Sequence, residues 1–304
     1  MDARVPELRQ LAGFVELVRQ GSFTRAAEAL HLTQSALSKQ IAQLEERLGR
    51  SLLERGAGRL RLTDAGEVVL RRGEAMQQLG RELLAELDDL DRLVTGELRL
   101  GLPLFGADAV FTALIIEFLA RYPGVRVHLE EGGSKSIEQA LHIGALELGA
   151  ALTPSNPELD YLPFCNEPLD VLMPAGHPRA GAGSVALVEL ADTPFLLYEQ
   201  SFTLNDRLQH ACRQAGFTPQ EGGRSGQADF LATLVVAGQG VVLLPRIVAR
   251  GLERPGLVRL TLREPQMTWD VAFIWRRGAY LSRAARAWLA LAKEMATPDR
   301  PLAA

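Results

Sequence analysis

An apolar seam between residues 64 and 94 restricts the possible folds of this 304-residue chain more than any other stretch. Met76, Leu79, Leu83, Leu87, Leu90 and Val94 recur at steps of three, four, four, three and four, and Arg, Glu, Asp and Gln crowd the flanking positions. That is a near-heptad pattern with one stutter. It predicts one helix over 64–94, with Thr63 as its N-cap. At 1.5 Å per residue such a helix is roughly 45 Å long. It divides the chain into a small head, 1–63, and a larger body, 95–304. An amphipathic helix lying on its own domain gives the same pattern. A single small domain struggles to cover that length, so pairing with a second copy of the chain is the better account.

The head reads as helices. Residues 6–20 form the first, with Pro6 opening it and Leu8, Leu11, Phe14, Val15 and Val18 as its buried stripe. Ser22 caps a second helix carrying Ala26, Ala27 and Leu30 on one face. His31-Leu32 breaks it, and Thr33 caps a third. Leu37, Ile41, Leu44 and Leu48 make that helix's apolar stripe, and Gly49 stops it. The opposite face presents Gln34, Ser35, Ser38, Lys39 and Ala42. Small and amide-bearing side chains near a helix N-terminus let a helix approach base edges, and Gln can pair in bidentate fashion with adenine. Then come Leu52–Arg55, the turn Gly56-Ala57-Gly58, and Arg59–Leu62, an alternation that predicts a two-stranded wing. The expected contacts with double-stranded DNA are Ser22, Thr24, Thr33, Gln34, Ser35, Ser38 and Lys39, with Arg55, Arg59 and Arg61 on the backbone or in the minor groove. A structural three-helix domain with ordinary surface arginines shares much of this pattern.

Charge is divided in the same sense. The formal net charge is −4, which argues against a broadly basic nucleic-acid coat. Residues 1–61 hold ten Lys/Arg and seven Asp/Glu, a net of +3; the remainder holds 23 and 30, a net of −7. A mildly basic head on an acidic body fits local contact with phosphate. No basic start followed by an apolar stretch marks a signal peptide, and no apolar run approaches the roughly 20 residues of a membrane span. A cytoplasmic protein without membrane contact is expected.

The body alternates strands and helices. Strands are expected at 98–103, 125–129 and 146–152, with helices through Phe111, Leu114, Ile115 and Phe118 and at 136–142. This βαβα succession implies a parallel sheet with helices on both faces. A second unit begins near Glu167, with strands at 169–173, 195–198 and 241–244 and helices at 203–215 and 227–237. Residues 269–275 return as a strand to the first unit, and 282–296 close as a helix. The chain therefore crosses between two α/β lobes near residues 165 and 268, which makes a hinged cleft. Lobe 1 is about 97–165 with 269–304, and lobe 2 is about 166–268.

Ligands of open α/β sheets sit beyond the carboxyl ends of strands, near helix N-termini. Pro103, Leu104 and Phe105, then Ser134, then Ser201, Phe202 and Thr203, then Ser225 and Gln227 stand at such places. Their hydroxyls and backbone N–H groups suit a small carboxylate, although Ser and Thr there are more often plain helix caps. No nucleophile elbow, phosphate loop or paired-carboxylate signature is present, so no enzyme and no cofactor is expected. His31, His128, His142, His177 and His210 have no metal-ligand spacing, and His177 lies in a Gly-His-Pro turn that reads as structural. Cys165 and Cys212 are too few for a disulfide framework and read as buried free thiols.

Phe14-Val15-Glu16-Leu17-Val18, Gly21–Ala27, Leu32–Ser38, Gln43-Leu44-Glu45, Leu48-Gly49 and Leu62–Gly66 together resemble the LysR-type transcriptional regulators. Gly176-His177-Pro178 and Gly238–Pro245 continue the likeness, so it spans nearly the whole chain. The resemblance implies an α/β protein with an N-terminal all-α winged helix-turn-helix, a long linker helix, and a two-lobed effector domain similar to type II periplasmic binding proteins. It implies DNA and a small effector as partners, and a homodimer or, more commonly in the family, a homotetramer. Two positions depart from the pattern. Ser35 stands where many members carry Pro at the first helical position. Pro103-Leu104-Phe105-Gly106 replaces a loop that often carries Ser or Thr, so that side of the site is apolar. Arg224–Phe230, Asn166–Leu169 and Ile274–Ser282 resemble the CidR-like subgroup, associated with acetate-type carbon overflow. Some family members sense peroxide with a cysteine pair; Cys165 and Cys212 are 47 residues apart in different expected lobes, and that chemistry is not carried over. The alternative is a cytoplasmic solute-binding module without a DNA role.

Overall fold

A computed structural model of the chain describes residues 5–54, 60–88, 96–104, 106–153 and 156–296. It divides into two compact units, Met1–Leu87 with Ile143–Ala145, and Asp88–His142 with Leu146–Ala304.

The first unit begins with three helices, α1 (Leu8–Gln20), α2 (Phe23–Ala29) and α3 (Gln34–Leu48). Each start has a cause. Gln10 Oε1 accepts the Glu7 N–H at 3.4 Å, Ser22 Oγ accepts the Arg25 N–H at 3.5 Å, and Thr33 Oγ1 accepts the Ala36 N–H at 3.2 Å. His31, at φ 54°, makes the tight turn between α2 and α3. Gly49, at φ 64°, ends α3 in the left-handed conformation. Leu11, Phe14, Leu17, Ala26, Ala27, Leu37, Ile41, Leu44 and Leu52 form one core.

The first helix corrects two expectations. It starts at Leu8, not Pro6, because Glu7 is the cap residue. Leu8 is 65% exposed and Leu17 is fully buried. The stripe facing α2 and α3 is centred on Phe14 and Leu17, which leaves Leu8 roughly 120° round from Phe14 at 100° per residue.

After α3 the chain forms a short antiparallel ladder. Leu53 bridges Leu62, Glu54 N–H donates to Arg61 O at 2.9 Å, and Thr63 N–H donates to Leu52 O at 3.0 Å. Residues 55–59, with Arg55 and Arg59, lie outside the described residues. Thr63 Oγ1 then accepts the Gly66 N–H at 3.0 Å and opens α4 (Asp64–Asp88). Among the described residues, Met76, Leu79, Leu83 and Leu87 are 38%, 63%, 57% and 53% exposed. Leu90, Val94 and the expected helix beyond Asp88 lie outside the described residues.

The second unit starts with β1 (Gly96–Pro103), α5 (Ala107–Arg121), β2 (Val125–Gly132), α6 (Ser134–His142), β3 (Leu148–Leu152) and β4 (Leu159–Pro174). β5 (Ser184–Val185), β6 (Phe195–Leu197), α7 (Thr203–Gln214), β7 (Glu221–Arg224), α8 (Ala228–Val236), β8 (Val242–Pro245), α9 (Arg246–Gly251) and β9 (Leu257–Leu262) follow. β10 (Thr268–Arg276) and α10 (Arg283–Met295) close it. The main sheet runs β2-β1-β3-β10-β4-β9-β5, with β8 also on β4, and β6 pairs β7 separately.

The three strands of the βαβα succession are parallel as expected, and the sheet becomes mixed where β10 and β4 join it. β1 is parallel to β2 and β3, but β10 is antiparallel to β3 and β4, and β4 is antiparallel to β8 and β9. The sixteen-residue β4 joins the two lobes: Leu159–Pro168 pair with β10, and Leu169–Pro174 pair with β8 and β9. Its first half was not legible as a strand because Pro163, Asn166, Glu167 and Pro168 interrupt its apolar pattern. The core beside β10 is aromatic. Phe273 meets Trp288 edge-on with centroids 5.8 Å apart, and Phe111 stacks on Phe164 at 5.5 Å.

Candidate functional site

In the first unit α3 has one buried and one exposed side. Leu37, Ile41 and Leu44 turn inward on α3, and Gln34, Ser35, Ser38, Lys39 and Ala42 are exposed on its other side. Gln34 is the first helical residue and Ser35 the second, because Thr33 is the cap; the expectation that Ser35 holds the first position is corrected by that one-residue offset. The hydroxyls of Ser22 and Thr33 already serve their own helices as caps, and Thr33 Oγ1 lies 3.1 Å from Ser35 Oγ. Gln34, Ser38, Lys39 and Thr24 project freely. Among the described residues neither Lys39 nor Arg61 has an ion-pair partner, so both cations are free to meet phosphate.

Two residues that sequence reasoning left without a role hold this face together. Glu45 Oε1 accepts the backbone N–H groups of Leu52 at 2.6 Å and Leu53 at 3.3 Å, tying α3 to the wing strand. Gly66 brings the first turn of α4 against the same strand, where a Cβ would meet Leu52 O at 2.1 Å. Both were visible only as members of the motifs Gln43-Leu44-Glu45 and Leu62–Gly66.

In the second unit a narrow cleft is lined by Pro103, Gly132, Gly133, Ser134, Ala150, Leu152, Phe202, Thr203, Leu204 and Trp269. It lies at the ends of β1 and β2 and at the N-termini of α6 and α7. Of the expected ligand residues, Pro103, Ser134, Phe202 and Thr203 come together there. Ser134 Oγ accepts the Leu152 N–H at 3.2 Å, which leaves its own hydroxyl proton available. Leu104 packs instead on Gly226, where an added Cβ would lie 2.6 Å from Leu104 Cδ2. Ser201 packs on Gly133, and its carbonyl accepts the Lys135 N–H at 3.0 Å. Ser225 Oγ accepts the Gln227 N–H at 3.1 Å, and Gln227 is exposed. Phe105 lies outside the described residues. Trp269, buried at 3% exposure, and Leu204 were missed as lining residues because each was legible only as part of a strand or helix.

Charge around the cleft is neutralised in pairs. Lys135 Nζ lies 2.7 Å from Asp206 Oδ2. Arg207 pairs with Asp270 and also donates to Thr153 O at 3.3 Å. Both pairs bridge α7 to the first lobe. The two thiols stand apart from this chemistry. Cys165 and Cys212 are buried and free, and burial pushes their pKa values up to about 12 and about 11. His177 Nε2 lies 3.1 Å from Thr193 Oγ1 and its Nδ1 accepts the Arg179 N–H at 3.2 Å, a turn-fixing arrangement. Among the described residues no cluster of His, Cys, Asp and Glu could hold a metal, and no helix is long and apolar enough to cross a membrane.

Comparison with known proteins matches both units. Residues 8–67 fit the family described as "Bacterial regulatory helix-turn-helix protein, lysR family", and residues 91–297 fit "LysR substrate binding domain". The chain is 33% identical over 284 residues to the uncharacterised HTH-type transcriptional regulator YwbI of Bacillus subtilis, covering 93% of this chain and 94% of the relative. It is 31% identical over 283 residues to the RuBisCO operon transcriptional regulator of Allochromatium vinosum, covering 92% and 93%. Among solved structures, a full-length OxyR variant from Pseudomonas aeruginosa superposes with a TM-score of 0.72 at 24% identity, covering 98% of this chain and 99% of the other, a likeness of fold.

Proposed function

The chain belongs to the LysR family of bacterial transcriptional regulators, and on that basis we propose how its parts divide the work. Residues 1–63 bind double-stranded DNA in the cytoplasm as a winged helix-turn-helix. Residues 64–94 pair two copies, so that two heads occupy half-sites about one helical turn apart or a multiple of it. Residues 95–304 hold a small carboxylate between lobes at about 97–165 with 269–304 and at about 166–268.

One observation carries the DNA reading: α3 presents Gln34, Ser35, Ser38 and Lys39 on an exposed face while its other face is locked into the core. Gln34 and Ser38 reach base edges, and Lys39, Thr24 and Arg61, with Arg55 and Arg59, meet the backbone. A solute-binding module without a DNA role gives no reason for this face, nor for the family match over residues 8–67. The effector reading rests on the cleft. Ser134 and Thr203, the first residues of α6 and α7, both line it and bring hydroxyls and two helix N-termini to the cleft. Ligand changes the spacing of two heads only by favouring one lobe arrangement over another.

The test is footprinting of the full-length protein on the intergenic DNA beside its own gene, with and without a panel of small carboxylates and across a salt series. Specific binding that weakens steeply with salt and shifts its footprint with one compound is the expected result. Absence of specific binding at low salt would remove the DNA assignment.

A further inference from the structure

The cleft lined by Ser134 and Thr203 encloses a cavity of about 20 Å³. One buried water takes up at least about 10–15 Å³, so there is room for about one water. Any organic ligand has to part the walls. Several ties hold those walls together, and each adjoins a lining residue. Lys135, next to Ser134, reaches Asp206 of α7, with Nζ 2.7 Å from Oδ2. Arg207, the next residue of α7, pairs with Asp270, which adjoins Trp269. It also donates to the carbonyl of Thr153, which adjoins Leu152, at 3.3 Å. The Lys135 N–H donates to Ser201 O at 3.0 Å, and a Cβ on Gly133 would meet that same oxygen at 2.5 Å. Ser201, Asp206 and Arg207 stand on the second lobe, and Gly133, Lys135, Thr153 and Asp270 on the first. Each tie therefore crosses from lobe to lobe.

We infer that the pairs Lys135–Asp206 and Arg207–Asp270 are a latch: they hold α7 against the first lobe, and a ligand enters the cleft only after they part. The inference rests on the reading of this cleft as the effector site and adds how access to it is controlled. The two pairs differ in kind. Lys135 and Asp206 are about half exposed, so water and salt weaken their attraction. Arg207 and Asp270 are more than half buried and less easily screened. The links that must flex are few, since β4 passes from β10 to β8 and β9 within one strand. Ligand bears the cost of opening, so its apparent affinity falls by the fraction of molecules that are open. Lys135 and Arg207 thus act on the effector by setting that fraction, not by touching it.

The test places a thiol inside the cleft, by Ala150→Cys in the full-length protein, and follows its reaction with iodoacetamide relative to the urea-unfolded chain. The parent protein, whose two thiols are buried, gives the background. The introduced thiol is expected to react slowly, and about tenfold faster when Asp206→Asn and Asp270→Asn are added. Raising salt from about 0.01 to about 1 M, which cuts the screening length from about 30 Å to about 3 Å, is expected to speed labelling about threefold with the pairs intact and less without them. Reversing the exposed pair, Lys135→Asp with Asp206→Lys, is expected to restore slow labelling that either change alone loses; damage to the fold would not be rescued in this way. Equal labelling with and without the two Asn changes overturns the latch, as does labelling of Ala150→Cys as fast as in urea. Where the Asn variant does not fold, the salt response and the reversed pair decide, and an absent response with no rescue overturns the latch. Labelling needs no effector, so its failure leaves the effector reading standing, and a footprint indifferent to every compound leaves the latch standing.

Discussion

A Cβ at Gly66 would stand 2.1 Å from the carbonyl oxygen of Leu52, closer than any carbon can approach. The first turn of α4 therefore lies directly on the wing strand, fixed there by Thr63, whose hydroxyl accepts the Gly66 N–H. Alanine is intrinsically better in a helix by about 1 kcal/mol. Here the obstacle is backbone, which cannot rotate away, and overpacking costs about 1–3 kcal/mol or more. Gly66→Ala is expected to lower the stability of the head by about 2 kcal/mol net. Faster amide hydrogen exchange in α1, α2 and α3 would report it; unchanged exchange would show that the strand yields easily.

The carboxylate of Glu45 accepts two backbone N–H groups, from Leu52 and Leu53. Bonds to a charged group contribute about 1.5–3 kcal/mol each when removal leaves the donors unpaired. Glu45→Ala is expected to cost about 2–3 kcal/mol in urea unfolding of the head, and Glu45→Gln, which keeps an acceptor oxygen, to cost less. Equal losses in the two variants would mean that the tie to the wing is not through this oxygen.

For recognition, Gln34→Ala is expected to weaken specific DNA binding by about 1–3 kcal/mol, the worth of one good base contact. Weakened affinity with relaxed preference at one base pair identifies that contact. An unchanged sequence preference takes Gln34 out of the reading set.

The seam of α4 leaves Leu79 and Leu83 more than half exposed. Burying a leucine is worth about 1.5–3 kcal/mol, and a symmetric pair contributes it twice. Leu83→Asp is therefore expected to raise the dimer dissociation constant on the order of a hundredfold or more, seen by sedimentation as a shift to monomer. A variant that sediments like the parent would place the pairing surface elsewhere.

Burial holds both thiols protonated, at pKa values of about 12 for Cys165 and about 11 for Cys212. The thiolate is the reactive form, and almost none exists at pH 8. Iodoacetamide is expected to label neither cysteine in the native protein and both in urea, and hydrogen peroxide is expected to leave DNA binding unchanged. Rapid native labelling of Cys165 would contradict its burial.

The head was legible almost residue by residue. Its helices are short and local, so caps such as Ser22 and Thr33 and the stripe Leu37, Ile41, Leu44 follow from spacing alone. The misplacement of Leu8 shows the limit: which side of an amphipathic helix is buried depends on where α2 and α3 press against α1. The body was less legible. Residues 159–168 carry two prolines and an Asn-Glu pair, yet they form half of the strand that joins the lobes, because β10 supplies the pairing that their own pattern does not announce. β7, β9 and α9 were missed for the same reason, as short segments held by neighbours distant in sequence.

The cleft separates the two sources of information most clearly. Hydroxyl-rich helix starts after strand ends could be read directly along the chain, since caps and strand patterns are local. The family could be read the same way, because the motifs of the head are dense and contiguous. Folding in three dimensions was needed to show that Ser134 and Thr203 face one cavity while Ser225 serves its own turn, that Trp269 forms a wall, and that Asp206 and Asp270 neutralise the nearby cations. Those are relations between residues tens of positions apart, set by how β4 and β10 carry the two lobes, and no local pattern encodes them.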